Sequence, residues 1–549
     1  MTKLKDGVDL DAILAELGSF KRYQIRNFCF ILLPIVFSAV YNGQYIFTAV
    51  SIEYRCEVPE CEASPPQIEA GEWGQWALPA DDWQCQRLRP VEPAGQAVCS
   101  AHSFLNESIE CASWIYENTN SIVEAFDLAC QEWKRTTVGT VHSVGLLAAL
   151  PLTAFVSDRF GRRTAFVLTA VAAALIGVIR SFSVNYIMYL SFEFLNAMLG
   201  SGVYSSGFIL ALEMVEIKWR VLGGNIVSCT YAVGQVVLAL FAWAFPYWVT
   251  FTRIIYTPSF LFIFYFFLIE ESVRWLLSKG NKKEAARIIF KAAEMNNVKL
   301  SPEAVKQLTE PPPKEPKQPH EAVIHIIDTI ETTKNSLFSQ VLRSKIIMSR
   351  LCICSFWWIT VTFIYYGLSI NSVSLGGNRY VNYILMSLVE IPGYALSVLT
   401  LDRFGRKASI MTAFFICGLS LISLPFIPET LQSVQTSMNM VGKLCISMCF
   451  SSIYIYTTEL FPTQARHSLL GACSTVGRIG SIVAPQTPLL MAYMEALPYL
   501  LFGGMACAAG LLMTLTPETL RARLPDTVAQ AEDIAAPRNN HKHTDTVVD

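Results

Sequence analysis

The stretch DRFGRR at residues 158–163 recurs 244 residues later as DRFGRK at residues 402–407. Two further motifs repeat in the same order at nearly the same offset: Glu213 with Arg220 becomes Glu459 with Arg466, and Glu271 becomes Glu518. A single repeat of this kind is easily produced by chance, but three in order at one offset are not. The chain is therefore predicted to consist of two halves of the same design in parallel orientation.

The segments around these motifs are strongly apolar. The chain has 549 residues, of which 52% are hydrophobic and 16% charged. Its mean hydropathy is +0.39, which indicates more apolar surface than one soluble core can bury. A bilayer core about 30 Å thick takes roughly 20 apolar residues per helix. Such runs predict twelve spans, at residues 27–50, 137–157, 164–182, 186–212, 221–245, 247–269, 346–374, 380–401, 408–427, 433–458, 469–490 and 496–516.

The fold class that these runs predict is an all-α membrane protein with its twelve helices in two six-helix bundles. The predicted segments are, in chain order, a cytoplasmic N-terminus (1–26), a first bundle (27–269) with a cysteine-rich loop (51–136), a central loop (270–345), a second bundle (346–516) and a tail (517–549). The central loop contains the Pro-rich stretch 311–316.

Cysteine usage distinguishes the loop after the first span from the rest of the chain. Six of the fifteen cysteines lie in this loop, and the other nine lie inside apolar segments; the six are Cys56, Cys61, Cys85, Cys99, Cys111 and Cys130. An even number of closely spaced cysteines in a polar loop predicts three disulfides in an oxidising compartment. The sequence does not determine which cysteines pair. The alternative is six free thiols in a cytosolic loop. The loop also carries a glycosylation sequon at Asn106, which favours the outer or lumenal side.

The distribution of charge leads to the same orientation. Residues 51–136 contain fifteen acidic and five basic residues. Basic residues instead follow the second, fourth and sixth spans: Arg159, Arg162, Arg163, Lys218, Arg220, Lys279, Lys282, Lys283 and Arg287. The positive-inside rule places both termini and the central loop in the cytoplasm. Because residues 1–26 lack a cleavable signal pattern, residues 27–50 are expected to remain as the first span.

Several classes of function are disfavoured by the sequence. The formal net charge of -2 gives no reason to expect nucleic acid as a partner. No Gly-rich phosphate loop, metal-ligand spacing or nucleophile–base arrangement occurs, so we expect neither an enzyme nor a metal or organic cofactor. The lack of a nucleotide-binding domain favours secondary transport, with Na⁺ or H⁺ as open candidates for a coupling ion. The expected partners are a small charged organic solute and the lipid bilayer, with the protein a monomer.

The doubled DRFGRR/K loop resembles the signature of the major facilitator superfamily. The small residue that usually precedes the Asp by four positions is Ala154 in the first half but the bulkier Val398 in the second. Within that superfamily the chain resembles solute carrier family 22, the organic cation, carnitine and organic anion transporters. The motifs that carry this likeness are the cysteine-rich loop, SIVEAFDLAC (121–130), ESVRWL (271–276), YYGL (365–368), ELFPT (459–463) and LPDT (524–527). The region around residues 54–61 is similar to insect members.

Two charged residues lie midway along predicted spans and are candidates for substrate binding. A charge in a span costs a few kcal/mol on insertion scales, so Glu390 in the eighth span and Arg478 in the eleventh need a functional or structural reason. The family resemblance implies that an acid at Glu390 accompanies cation transport, and that a base at Arg478 accompanies anion transport. A chain with both an acid at the first position and a base at the second resembles the carnitine-type members. This combination predicts a binding site for a zwitterion or an amine. The alternative is a Glu390–Arg478 salt bridge that only locks helices.

Aromatic residues are expected to complete this site, because aromatic faces attract ammonium groups. Tyr41 and Tyr45 are one helical turn apart on the first span, as are Tyr231 and Gln235 on the fifth. The resemblance adds further wall residues and a second candidate charge: Trp358, Tyr365, Phe450 and Lys443. For any single aromatic residue, ordinary packing is the alternative.

The repeated motifs are predicted to be gating residues at the cytoplasmic ends of helices. Their ion pairs would hold one state and break when the halves move. These residues are Asp158, Arg162, Glu213, Arg220, Asp402, Arg406, Glu459 and Arg466.

Three functions are compatible with the sequence. The first is a plasma-membrane carrier of organic cations or zwitterions such as carnitine, β-alanine or carcinine-like amines, by uniport or ion-coupled symport. The second is an organic anion exchanger, which Arg478 favours and Glu390 opposes. The third is a membrane receptor that uses the cysteine-rich loop for adhesion or ligand sensing without moving solute.

Overall fold

The computed structural model of the chain describes residues 9–18, 20–91, 99–309, 339–520, 522 and 524–534. The Pro-rich stretch 311–316 lies outside these residues. Within them, ten helices are long and apolar enough to cross a membrane: Arg22–Thr48, Glu132–Phe160, Arg162–Arg180, Tyr186–Glu213, Arg220–Ala244, Trp248–Leu268, Lys345–Ser374, Arg379–Phe404, Arg406–Phe426 and Gln432–Leu460. These are the first to tenth spans in order, and they agree with the predicted positions to within a few residues.

The eleventh and twelfth predicted spans are also helical, but they are shorter or more polar. The eleventh runs over Arg466–Val483 and continues, after a 3₁₀ turn, as Thr487–Met491. Arg466 and Arg478 both lie within it, which lowers its apolar character. The twelfth is Leu497–Met513.

The chain divides into two compact units that do not coincide with the two halves of the sequence. Unit 1 contains residues 1–313, 366–391 and 481–498. Unit 2 contains residues 314–365, 392–480 and 499–549. Unit 1 thus includes the ends of the seventh, eighth and eleventh spans together with the first half of the sequence. These ends pack on the first, second and fifth spans, on the side from which the cysteine-rich segment leaves the first span.

The cysteine-rich segment contains the strands of the described chain. Strands β1 (Tyr54–Cys56) and β4 (Trp114–Tyr116) pair antiparallel, as do β2 (Gln86–Pro90) and β3 (Phe104–Glu110). Three disulfides join Cys56 to Cys111, Cys61 to Cys99 and Cys85 to Cys130. The predicted six-cysteine framework is confirmed, and the structure supplies the pairing. Asn106 is exposed on β3, where a glycan has room.

Short helices occur outside the spans: Leu10–Leu17, Gly74–Ala77, Ile122–Ala125, Val273–Ser278, Lys282–Asn296, Pro302–Thr309 and Val528–Asp533. Three of them lie in the predicted central loop, so the described part of that loop is helical. The helix Leu10–Leu17 buries its leucines against Ile288 and Ile289. The Asp11 carboxylate accepts a hydrogen bond from Arg274 at 2.6 Å. These contacts anchor the N-terminal segment within unit 1.

Candidate functional site

Arg162 forms the centre of an ion-pair network at the start of the third span. Its guanidinium donates to Asp158 Oδ1 at 2.8 Å, and its Nε lies 3.4 Å from Glu213 Oε2. Arg162 and Glu213 are 16% and 15% exposed, so water screens this pair only in part, whereas Asp158 is largely exposed and its pair is screened more strongly.

Arg406 repeats this arrangement in unit 2. It donates to Asp402 Oδ1 at 2.8 Å, and its Nε lies 3.3 Å from Glu459 Oε2. The predicted repeat therefore extends from sequence to side-chain geometry, with the same acids at nearly the same distances. In each half, three of the four proposed gating residues form ion pairs with one another.

The fourth gating residue of each half, an arginine, is not part of the Arg162 or Arg406 network. Arg220 lies 3.5 Å from Asp11 Oδ1, next to the N-terminal helix. Arg466 donates to the carbonyl oxygen of Phe461 at 3.4 Å, which helps to close the turn before the eleventh span. A spacing of seven residues places a base near its acid in sequence, but the turn between them directs the two side chains to different partners.

Two carboxylates cap the helices that follow the repeated loops. Glu271 accepts the backbone N–H of Arg163 at 3.0 Å, and Glu518 accepts that of Lys407 at 3.0 Å. Unsatisfied N–H groups and the helix dipole make a helix N-terminus favourable for an anion. Gly161 has φ +104° and no room for a Cβ beside Glu271. The glycine of the signature is therefore required by both its backbone conformation and this carboxylate.

Glu390 lies where the eighth span changes from one helical segment to the next. The segments are Arg379–Leu388 and Glu390–Phe404. Its side chain is fully buried, and Gln235 Nε2 lies 3.5 Å from its Oε2. Ser387 donates to Gln235 Oε1 at 3.3 Å. The structure thus brings two predicted site residues, from the fifth and eighth spans, into one polar cluster.

The tyrosines predicted for the first half have separate surroundings. Tyr231 packs edge-on against Tyr204, with ring centroids 5.3 Å apart. The ring of Tyr41 is stacked on Tyr256 at 4.7 Å, and its hydroxyl bonds to Ser259. Tyr41 is therefore a packing residue of the first and sixth spans in this structure. Tyr45 lines a cavity of about 300 Å³ near the cysteine-rich segment.

Unit 2 brings the other predicted aromatic residues together. Tyr365 and Phe450 have ring centroids 5.3 Å apart, and Tyr454 extends the group to Trp358 with centroids 4.4 Å apart. Trp358 Nε1 donates to a threonine hydroxyl of the tenth span at 3.3 Å. Tyr454 was not among the predicted site residues, although its spacing of four from Phe450 places it on the same helix face.

Lys443 is completely buried beside this aromatic group. Its ammonium lies 3.4 Å from the centroid of the Tyr365 ring and donates to the Tyr365 carbonyl oxygen at 3.0 Å. The predicted cation–π face of Tyr365 thus contacts a cation of the protein itself.

Arg478 is positioned by two glycines that allow close helix packing. A Cβ at Gly477 would lie 2.9 Å from the Cβ of Trp358, and a Cβ at Gly480 would approach the Thr362 hydroxyl even more closely. The Thr362 hydroxyl also bonds to the Gly477 carbonyl oxygen. These contacts hold the helix that carries the half-buried Arg478 against the seventh span within unit 2.

Unit 1 also contains a charged cluster that was not predicted from the sequence. Glu193 and Arg180 are both fully buried and form an ion pair. His142 Nδ1 lies 2.7 Å from Glu193 Oε1, and Gln44 Nε2 donates to both carboxylate oxygens at 3.0 Å. The rule that directs attention to Glu390, a charge inside a predicted span, applies equally to Glu193 and Arg180. Arg180 and Glu193 are 13 residues apart and lie on different spans, so the sequence alone does not indicate that they form an ion pair.

The fold and these charge networks define a membrane transporter, and comparisons with known proteins give the same class. The model of the Major Facilitator Superfamily matches residues 119–485. The partially occluded inward-open conformation of the xylose transporter XylE from E. coli has the same fold, with a TM-score of 0.58 and 13% identity, covering 90% of this chain and 99% of that one.

Relatives at higher identity define the family more closely. The "Organic cation transporter protein" of Drosophila melanogaster is 31% identical, with 95% of this chain and 94% of the relative aligned. "Organic cation/carnitine transporter 2" of Rattus norvegicus is 31% identical, with 95% of this chain and 94% of the relative aligned. The chain belongs to the major facilitator superfamily and, within it, to solute carrier family 22.

Proposed function

We propose that this transporter carries small organic cations or zwitterions, such as carnitine, β-alanine or carcinine-like amines, across the plasma membrane by alternating access. The observation that carries the proposal is the burial of Glu390 inside the eighth span, with the Gln235 amide beside it. A carboxylate at this depth is costly and attracts an ammonium group strongly. The names of the fruit-fly and rat relatives, which refer to organic cations and carnitine, support the same substrate class.

The charges of the site residues favour a zwitterion over a simple cation. We assign Glu390 to the ammonium group of the solute, and Arg478 to its carboxylate or to a coupled ion. Lys443 adds a second positive charge beside the aromatic residues Tyr365 and Phe450. A guanidinium binds a carboxylate through two parallel hydrogen bonds, so it suits the anionic end of such a solute.

We further assign both termini to the cytoplasm and the cysteine-rich segment to the outside. Three disulfides need an oxidising compartment, and basic residues flank the opposite ends of the spans. With this orientation the Arg162 and Arg406 networks lie on the cytoplasmic side, where they act as gating residues. The protein works as a monomer in this proposal, and Asn106 carries the glycan.

The test is uptake of a labelled panel of amines, amino acids with distant charges and organic anions into cells that express the protein. We expect Glu390→Gln to reduce amine and zwitterion uptake by about 10- to 100-fold, because a charge-assisted hydrogen bond is lost. Glu110→Gln, at an exposed acid of the cysteine-rich segment, is the matched control and should keep full uptake.

Two outcomes would replace this proposal. Uptake of anions that is lost in Arg478→Ala, together with amine uptake that Glu390→Gln leaves unchanged, would establish the organic anion exchanger. Arg478 and Lys443 are the observations that favour that alternative. A correctly folded surface protein that accumulates no member of the panel would favour a receptor.

A further inference from the structure

A cavity of about 300 Å³ lies within unit 1 where the cysteine-rich segment leaves the first span. It is at the small end of the range of ligand-binding cavities. Residues from both halves of the sequence form its walls. Tyr45 and Thr136 belong to the first and second spans, Val373 and Arg379 lie on either side of the loop between the seventh and eighth spans, and Pro485 follows the eleventh span. It therefore contains aromatic, aliphatic, hydroxyl and guanidinium groups together.

Direct contacts between the two halves of the sequence close this cavity. Gln486 donates to the Thr140 hydroxyl at 2.6 Å and accepts from Thr136 at 3.0 Å. The close approach requires Gly139, whose Cβ would lie 2.7 Å from both Pro485 and Tyr45. The cavity exists only while these helix ends are together, so any ligand that fills it stabilises this closed arrangement.

The charge around the cavity is positive. Both ionisable residues in its wall are arginines, and none of the described residues that line it is acidic. Arg135 is neutralised by Glu132 and also donates to the carbonyl oxygen of Ala49 at 3.1 Å. Arg379 contributes the remaining charge, so the cavity has a net charge that suits one anionic group.

Arg379 lies at a position where a bound anion would be stabilising. It is the first residue of a helix, where the dipole disfavours a cation. Throughout the described chain, no carboxylate or carbonyl oxygen accepts a hydrogen bond from its guanidinium. Its side chain is half-buried and contacts a second, adjacent cavity lined by Phe47, Asn118 and Tyr380. An arginine in this setting is expected to bind a ligand carboxylate.

We propose that this cavity binds small organic monocarboxylates with an apolar body, and that such a ligand, acting from outside, holds the transporter closed on that side. Arg379 binds the carboxylate, while Tyr45, Val373 and Pro485 contact the apolar body. The ligand inhibits without being carried, because the cavity disappears when the helix ends separate. The outside location and the inhibition depend on the function and topology proposed above, whereas the binding itself does not.

Binding is tested on the purified full chain with benzoate and with its uncharged analogue benzamide as probes. We expect benzoate to raise the melting midpoint and benzamide to leave it unchanged, because only benzoate has a charge for Arg379. Arg379→Gln should raise the benzoate concentration needed for half of the shift by about tenfold or more. Arg89→Gln is the matched control, because Arg89 is an exposed arginine of the cysteine-rich segment. Its benzoate response should equal that of the wild type.

Transport gives the second readout, with external benzoate and a labelled amine that the protein accumulates. Benzoate should inhibit amine uptake by the wild type, and both Arg379→Gln and Val373→Trp, which fills the cavity, should take up the amine but lose this inhibition. Inhibition that both variants keep unchanged would place benzoate in the transport site and overturn the proposal. An equal benzoate response in wild type and Arg379→Gln, or no response in either, would also overturn it. If no amine is accumulated, the melting experiment still decides on binding.

Discussion

Two buried acids in unit 1, Glu193 and Glu390, lie in different local structures, the first within a helix and the second at a break between two helical segments. Glu193 is bonded by the guanidinium of Arg180, the imidazole of His142 and the amide of Gln44. Glu390 is approached by the neutral amide of Gln235 at 3.5 Å, the outer limit of a hydrogen bond. Both side chains are fully buried, so burial does not distinguish them.

The difference indicates two uses of the same chemical group. A carboxylate with a cation and two further donors from its own unit has the contacts of a structural ion pair. Removing one partner of such a pair leaves an uncompensated charge away from water, which is strongly destabilising. Glu390 instead lies at the break between two helical segments of the eighth span and is assigned above to the ammonium group of the solute. We therefore expect Glu193 to matter most for folding and Glu390 most for transport.

The largest effect is expected when the partner of Glu193 is removed. Arg180→Met keeps the length of the side chain and leaves Glu193 buried beside His142 without its guanidinium. We expect a loss of about 3–5 kcal/mol of stability and little folded protein. The measurement is the melting midpoint and the monodisperse fraction of the purified protein.

A double variant serves as the control for this experiment. Arg180→Met with Glu193→Gln removes both charges and should recover part of the lost stability, because no uncompensated ion remains. A wild-type melting midpoint for Arg180→Met alone would show that the pair is not structural, and the contrast with Glu390 would then be wrong.

The second effect concerns Glu390 itself. Glu390→Gln keeps the shape of the side chain and a hydrogen-bonding group beside Gln235. We expect the melting midpoint to stay within about 2 °C of the wild type, a change of less than about 1 kcal/mol, while amine uptake falls. A midpoint as low as that of Arg180→Met would show that Glu390 is a structural acid as well.

The third effect concerns selectivity and extends the comparison to unit 2. Lys443→Met removes the ammonium from the Tyr365 ring, where cation–π attraction contributes about 2 kcal/mol when desolvated. One fewer positive charge should shift preference from zwitterions to simple cations by about tenfold. The measurement is the ratio of uptake rates for an amine and for the same amine bearing a carboxylate. An unchanged ratio would restrict Lys443 to helix packing.

The smallest effect concerns the capping acids, which accept the same kind of backbone N–H in both units but differ in exposure, since Glu271 is buried and Glu518 is exposed. Glu271→Gln and Glu518→Gln each remove a charge from a helix N-terminus but keep a hydrogen-bond acceptor. We expect each to cost about 0.3–1 kcal/mol, with the larger fall in melting midpoint for Glu271→Gln, because water screens the exposed Glu518 more than the buried Glu271. An equal or larger fall for Glu518→Gln would show that burial does not set the size of this effect.

Much of the architecture was predictable because it depends on local composition and on repetition. Apolar runs of about 20 residues indicate spans wherever they fall, since lipid requires each backbone to satisfy its own hydrogen bonds. The offset shared by DRFGRR and DRFGRK indicated two halves, and Arg162 and Arg406 indeed bind matching acids. Six cysteines in one polar loop indicated three disulfides, which the structure contains.

The sequence by itself determined the membrane class, the duplicated design and the charged candidates Glu390 and Arg478. The tertiary structure alone decided which cysteines pair, that Arg180 lies on Glu193, that Lys443 lies on Tyr365, and that Arg379 borders a cavity closed by the second and eleventh spans. The physical reason is the range of the interactions. Hydropathy and helical periodicity act over a few turns, whereas these contacts join side chains from different helices, and helix packing fixes them.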